Sequence, residues 1–223
     1  MLEQSEKCLY LRVAEGKLRI KCNETTPGAV SRTYKDKDNT EKTIWELVYT
    51  AVSGKIVNII QRDHPEYGTS FNLVLKDGED KYSIQMGDKS NYFSTFVMAL
   101  PNIDLSKPVK IKPYSIKNDN GYDNQGFVIY QDEKKIENYY KNYDETTKRS
   151  TPKNGLEQFD FTSVKKNKKG QYDKDEMAIM RIKVTKFLKE ELEKQLPRLK
   201  AAETHAVSAE TAQHDEADED LPF

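Results

Sequence analysis

The sequence predicts a mainly β fold that ends in one amphipathic helix and an acidic tail. Three observations predict it. Short stretches alternating apolar and polar residues recur between residues 9 and 131, divided by Gly, Asp-Gly and Asn-Gly turn signals. One short segment, residues 90–100, breaks that period of two. Beyond residue 173 the period lengthens to helical spacing and then vanishes into Ala, Glu, Thr and Ser.

Residues 9–13 and 18–22 alternate around Ala14-Glu15-Gly16, which predicts a hairpin. Residues 31–37 and 42–52 predict a second pair about Asp38-Asn39, and 43–52 has the β-branched and aromatic content of a central strand. Gly54 separates it from another strand, 55–62. Phe71, Leu73 and Leu75 alternate with Asn72, Val74 and Lys76; Asp77-Gly78 marks a tight turn, and Tyr82, Ile84 and Met86 alternate on the return. Residues 90–100 predict a short helix capped by Ser90 and stopped by Pro101. Residues 109–116 and 126–131 predict two more strands, joined by a polar loop with Asn120-Gly121. Strands, a short helix and a strand pair follow in the order of a five-stranded OB barrel, whose helix lies between its third and fourth strands. Here the barrel would carry additional N-terminal strands. Residues 132–172, polar and lysine-rich, are expected as loops. Asp173 and Glu176 form a capping-box pattern before Met177, Met180, Val184, Phe187, Leu188 and Leu192, predicting an amphipathic helix over 173–196 that stops at Pro197. That helix either packs on the barrel or pairs two copies as a homodimer. The expected division is a domain over 1–199 and a disordered acidic tail over 200–223.

A chain of 223 residues accommodates one sizeable domain with appendages. With 36% hydrophobic and 33% charged residues it has a modest core and a polar surface. No stretch approaches the ~18 apolar residues of a membrane span and no secretory signal pattern opens the sequence, so neither membrane nor export is expected. Cys8 and Cys22 are expected as buried free thiols of a reducing, cytoplasmic compartment. The net charge of −1 hides an asymmetry. Residues 201–223 hold seven acids and no base; setting those aside leaves 30 acids against 36 bases, about +6 over residues 1–200. A basic body tethered to an acidic tail suits a binder of polyanions.

The tail ends Asp215-Glu-Ala-Asp-Glu-Asp-Leu-Pro-Phe223, acids followed by an apolar residue, Pro and Phe. Asp218 to Phe223 resembles the acidic tip of bacterial single-stranded DNA-binding proteins, with Glu219 and Leu221 where that family usually shows Asp and Ile. The body resembles instead the phage-type single-stranded DNA-binding proteins, which join a differently decorated OB barrel to a similar tail. Residues 110–131, with Pro113-Tyr114 entering a polar loop and Gly126 to Gln131 returning, carry that second likeness. The resemblance implies a protein of the host cytoplasm, if phage-encoded, that coats single strands in replication, recombination and repair. It also implies that Asp218, Glu219, Asp220, Leu221, Pro222 and Phe223 bind polymerase, helicase or primase, and that the tail competes with DNA for the groove.

Sequence-independent binding of single strands needs cations along the phosphates and flat aromatic faces under the bases. Strand parity supplies candidates: Lys110, Lys112 and Tyr114 oppose Val109 and Ile111, Lys76 opposes the Phe71 face, and Tyr130 opposes Phe127 and Ile129. Lys117 and Tyr122 extend this group around one hairpin. Lys165, Lys166, Lys168 and Lys169 form a second basic cluster after Phe159 and Phe161. Arg32, Tyr34 and Lys35 are a weaker third. Each set reads equally as tyrosines capping a core and lysines solvating a surface, while Trp45 and Tyr49 read as core. The three histidines are isolated, no Cys/His spacing suggests zinc and no phosphate-binding glycine loop is present, so no metal, cofactor or catalysis is expected. Two other readings stay open: a replisome adaptor whose OB domain binds protein, and a binder of single-stranded RNA.

Overall fold

Alternation carries most of the chain into strands, and turn residues with positive φ end them. The computed structural model describes residues 8–35, 38–66, 68–117, 123–147, 149–166 and 172–215, with side chains through residue 201 apart from 162. Strands β1 (Cys8–Ala14) and β2 (Lys17–Cys22) form the expected hairpin, with Glu15 and Gly16 at φ 53° and 71°. Next come β3 (Val30–Lys35), β4 (Glu41–Tyr49), β5 (Val52–His64), β6 (Gly68–Asp77) and β7 (Asp80–Gly87). Helix α1 (Asn91–Ala99) follows, with the Ser90 hydroxyl accepting the Phe93 N–H at 3.1 Å as the sequence predicts. Strands β8 (Val109–Lys117), β9 (Asp123–Gln131) and the short β10 (Lys134–Lys135) complete one sheet. A separate hairpin, β11 (Lys141–Asp144) with β12 (Arg149–Pro152), lies in the region expected as loops.

The protein is thus mainly β with a C-terminal helix. The sheet runs β10-β9-β8-β5-β6-β7-β1-β2-β4-β3 and does not close into a hydrogen-bonded barrel. β5 is the hinge strand: Val52, Ser53 and Gly54 pair with β8, and Lys55 onward pairs with β6, with a bulge at Val57. Gly54, at φ 155°, lies so close to β6 that a Cβ there would be 2.8 Å from the Lys76 carbonyl oxygen. The free edge of β7 pairs not with β9 but, in parallel, with β1, from Cys8↔Lys81 to Arg12↔Gln85.

The sheet nevertheless curls until its β1–β2 turn meets β8. An added Cβ on Gly16 would be 2.5 Å from the Ser115 nitrogen. The Gly16 N–H donates to the Tyr92 hydroxyl at 3.0 Å, and that hydroxyl donates to the Tyr114 carbonyl at 3.4 Å. Inside the curl lie Leu11, Leu18, Ile56, Phe71, Leu73, Leu75, Ile84, Ile111 and Ile129, with Phe93 and Phe96 of α1 fully buried among them. Phe71 and Phe93 stack at 4.6 Å.

Helix α2 (Lys174–Asp215) packs its apolar stripe on this assembly, burying Leu188, Leu192 and Leu199. Asp173 Oδ1 accepts the Asp175 and Glu176 N–H groups, but the Glu176 carboxylate turns to the Lys165 N–H, so only half of the predicted capping box forms. The expected stop at Pro197 and the unstructured linker from Lys200 are both corrected: the helix runs through Pro197 to Asp215. Tertiary contacts on the far side of the proline hold it, with Arg198 donating to the Ile103 carbonyl at 3.1 Å and Leu199 buried. Tyr140 Oη donates to Glu191 at 2.8 Å, and Lys189 pairs with Asp88 at 2.6 Å. Cys8 and Cys22 are free thiols, partly rather than fully buried. Among the described residues no helix is long and apolar enough to cross a membrane.

Tyr92→Phe leaves the buried Gly16 N–H without its acceptor and is expected to cost ~1–3 kcal/mol in urea unfolding. Burial, offset in part by the Gly16 hydrogen bond and reinforced by Asp123 and Glu15, holds the Tyr92 hydroxyl above the ordinary tyrosine range. A raised folded value means that this stability is fully present below pH ~10 and is lost as the pH climbs beyond it. The Phe variant should therefore lose less stability than the parent above pH 10; parallel alkaline profiles would contradict this.

Candidate nucleic-acid interface

Parity and register define a second face of the sheet, turned away from the core. On β8 it carries Lys110, Lys112, Tyr114 and Ile116, opposite the buried Val109, Ile111 and Pro113. Across the ladder Lys110 pairs with Tyr130, Lys112 with Val128 and Tyr114 with Gly126. β10 adds Lys135 beside Tyr130, and β5 adds Ser53 beside Lys110. From Ser53 the same face of β5 continues to Lys55, which pairs with Lys76, which in turn pairs with Lys81 of β7. Past the bulge it holds Asn58, Ile60 and Arg62 on β5 and Val74, Asn72 and Ser70 on β6, where Asn72, like Ser83 of β7, is buried. The parallel pairing brings up β1, with Tyr10 beside Ser83 and Arg12 beside Gln85.

The charge on this face is one-sided. Lys55, Arg62, Lys76, Lys81, Lys110, Lys112, Lys135 and Arg12 all stand on it. Among the described residues of β10, β9, β8, β5, β6, β7 and β1, no acid occupies an outward position. Lys55, Lys76 and Lys81 occupy directly paired positions across three strands. Three tyrosines are interleaved with these cations. Tyr10 is 63% exposed. Tyr130 and Tyr114 are partly buried, and the Tyr114 hydroxyl meets Gly126 beside Thr95 of α1, an added Cβ there lying 2.8 Å from the hydroxyl and 2.7 Å from the Thr95 methyl. Burial, then the neighbouring Tyr92, holds the Tyr114 hydroxyl above its usual range, so the ring stays neutral. Such a surface offers phosphates a band of cations and bases a set of flat ring faces.

Lys76, Lys110, Lys112, Tyr114 and Tyr130 are therefore brought together as expected. Lys117 is not: its parity puts it with Ser115, across from Asp123. Lys165 and Lys166 lie instead before α2, Lys165 84% exposed and 3.6 Å from Glu176, and Lys166 over the Tyr172 ring at 4.8 Å. Tyr122, Lys168, Lys169 and residues 218–223 lie outside the described residues. Sequence reasoning missed Lys55, Lys81, Lys135, Arg62, Tyr10 and Arg12. Their alternation was visible, but not the pairing of residues 8–12 with residues 81–85.

Acids return to this side of the sheet only beyond β1. Glu46 of β4 is buried, and its carboxylate accepts Arg19 of β2 at 3.1 Å and Arg32 of β3 at 3.2 Å, while Arg19 also reaches Glu15 at 2.8 Å. Arg32 in turn lies 5.4 Å over Tyr34, so the third candidate set is consumed in an internal network, and Lys35 falls on the other face opposite Glu41. Tyr49, expected in the core, is 42% exposed. Among the described residues no group of three His, Cys, Asp or Glu is placed to hold a metal ion. Compared with family models, curated proteins and solved structures, the chain matches none.

Burial alone would raise the Glu46 carboxyl, but the hydrogen bonds and charges of Arg32 and Arg19 outweigh it and hold it below the usual value of 4.5. With the folded value depressed, this stabilisation is present above pH 4.5 and is lost as the pH falls through the folded value. Glu46→Gln is expected to cost ~2 kcal/mol at pH 7 and to flatten the acid limb of a stability–pH profile. A variant as stable as the parent at pH 7 would contradict the network's role.

Proposed function

We propose that the protein binds single-stranded DNA without sequence preference, and that it works by binding rather than by catalysis. The observation that carries this is the outer face of seven strands, which among the described residues holds eight cations, three tyrosines and no acid at its outward positions. We further assign β5 to β9 with α1 to the OB type. In support, β5 pairs with both β6 and β8, β8 pairs with β9, and α1 sits between the third and fourth of these five strands. On this assignment β1 occupies the β7 edge that the last barrel strand would otherwise take, and it widens the binding face by Tyr10 and Arg12.

Cations on a continuous face follow a flexible phosphate chain more readily than a rigid duplex, and the rings offer faces only to unpaired bases. The acidic tip, Asp218 to Phe223, would recruit replication proteins, and the tail would compete with DNA for the basic face.

The test is a fluorescence titration of the intact chain with labelled oligo-dT, oligo-rU and a matched duplex at several salt concentrations. The parent should prefer oligo-dT to duplex, with affinity falling steeply as salt rises. Lys110→Glu with Lys112→Glu should weaken oligo-dT at least about tenfold and reduce the salt slope by roughly 1 to 2. Tyr130→Ala should cost ~1–3 kcal/mol, about 5- to 150-fold. Lys165→Ala should change little. No preference for single strands, or no effect of the charge reversals, would overturn the assignment; a preference for oligo-rU would move it to RNA.

A further inference from the structure

Where β1, β2, β4, β5, β6 and β7 converge, the core leaves a cleft of ≈ 260 Å³. Its floor is apolar, made by Leu9, Leu11, Leu18, Ile20 and Val52. Tyr49 and Tyr82 form its walls and Asp77 its lip. Asp80 stands directly opposite Asp77 in the β6–β7 ladder and on the same side as Tyr82, two residues along. Burial and then the charges of Asp80 and Asp77 hold the Tyr82 hydroxyl above its ordinary range, which is consistent with both carboxylates lying near the cleft. Lys76 and Lys81 of the same hairpin face the other side of the sheet by parity.

An apolar cleft with an anionic lip is selective in a defined direction. Its volume is below the ~300–1,000 Å³ of small-molecule pockets and suits one bulky side chain with part of a neighbour. Two carboxylates opposite one another disfavour the empty hairpin and favour a cation between them. The exposed Tyr49 adds to that preference. The chain's own tip is the wrong ligand, because Asp218, Glu219 and Asp220 precede its apolar residues. We propose that this cleft docks a segment of a partner protein in which a bulky apolar residue is flanked by lysine or arginine. The docking surface is lined chiefly from the inner side of the sheet and reaches the acid-free face only at Ser53. It is also distinct from the acidic tip, which would seek basic partners.

The test uses the ¹⁵N-labelled full chain titrated with the peptide acetyl-Arg-Leu-Phe-Lys-amide. Acetyl-Glu-Leu-Phe-Glu-amide and acetyl-Asp-Glu-Asp-Leu-Pro-Phe serve as comparisons. The basic peptide should give saturable shifts at Leu11, Ile20, Tyr49, Val52 and Tyr82, with at least tenfold weaker binding of both acidic peptides. Asp77→Lys should weaken the basic peptide at least fivefold. Ala51→Leu, which fills the cleft and leaves the acidic turn intact, should do the same. No saturable shifts, equal affinity for the acidic peptides, or unchanged binding in both variants overturns the proposal. None of these readouts depends on nucleic acid.

Discussion

The hydroxyl of Tyr92 joins three elements that no backbone ladder connects. It accepts the Gly16 N–H from the β1–β2 turn, donates to the Tyr114 carbonyl of β8, and is carried by α1. Parts of the curled sheet that are not neighbours in its strand order meet there, joined by one side-chain bridge and by a glycine that lets two backbones touch. A closed barrel distributes that duty over a full ladder of hydrogen bonds. Here the β7 edge is covered by β1 instead, and the turn that follows β1 must find β8 by contact alone. The same arrangement places Tyr10 and Arg12 at the end of the basic face.

The local part of this fold was legible. Glu15-Gly16 and Asp77-Gly78 mark their turns because short hairpins need residues that tolerate positive φ, and Ser90 caps α1 because its hydroxyl replaces a missing backbone acceptor. What the sequence hid is non-local. Nothing near Leu9 or Ile84 shows that they lie in adjacent parallel strands, and that pairing decides that the sheet stays open. Pro197 misled for a related reason: a proline disfavours a helix locally, but Arg198 and Leu199 are anchored to the body beyond it. The site was legible to the same depth. Parity put Lys110, Lys112, Tyr114 and Tyr130 together from residues on one hairpin, whereas Lys55 and Lys81 joined Lys76 only through ladder register. Lys117 failed because plain alternation along β8 puts it on the side opposite Lys110, Lys112 and Tyr114.

Charge is sorted by face rather than by segment. Along β6 and β7 the lysines point outward, and Asp77 and Asp80 share the inner side of the turn. On β4 the single inward-drawn acid, Glu46, is neutralised by two arginines before it can interrupt the basic surface. The acidic residues at the end of the sequence follow a long helix that packs against the core.

Photo-crosslinking of the intact protein to oligo-dT carrying 5-iodouracil, read by peptide mass spectrometry, tests the central claim most directly. Crosslinks concentrated at Tyr10, Tyr114 and Tyr130 are the result this account predicts. Crosslinks at Tyr143 or Tyr172 with none on the outer sheet face, or no crosslinks at all under binding conditions, would contradict it.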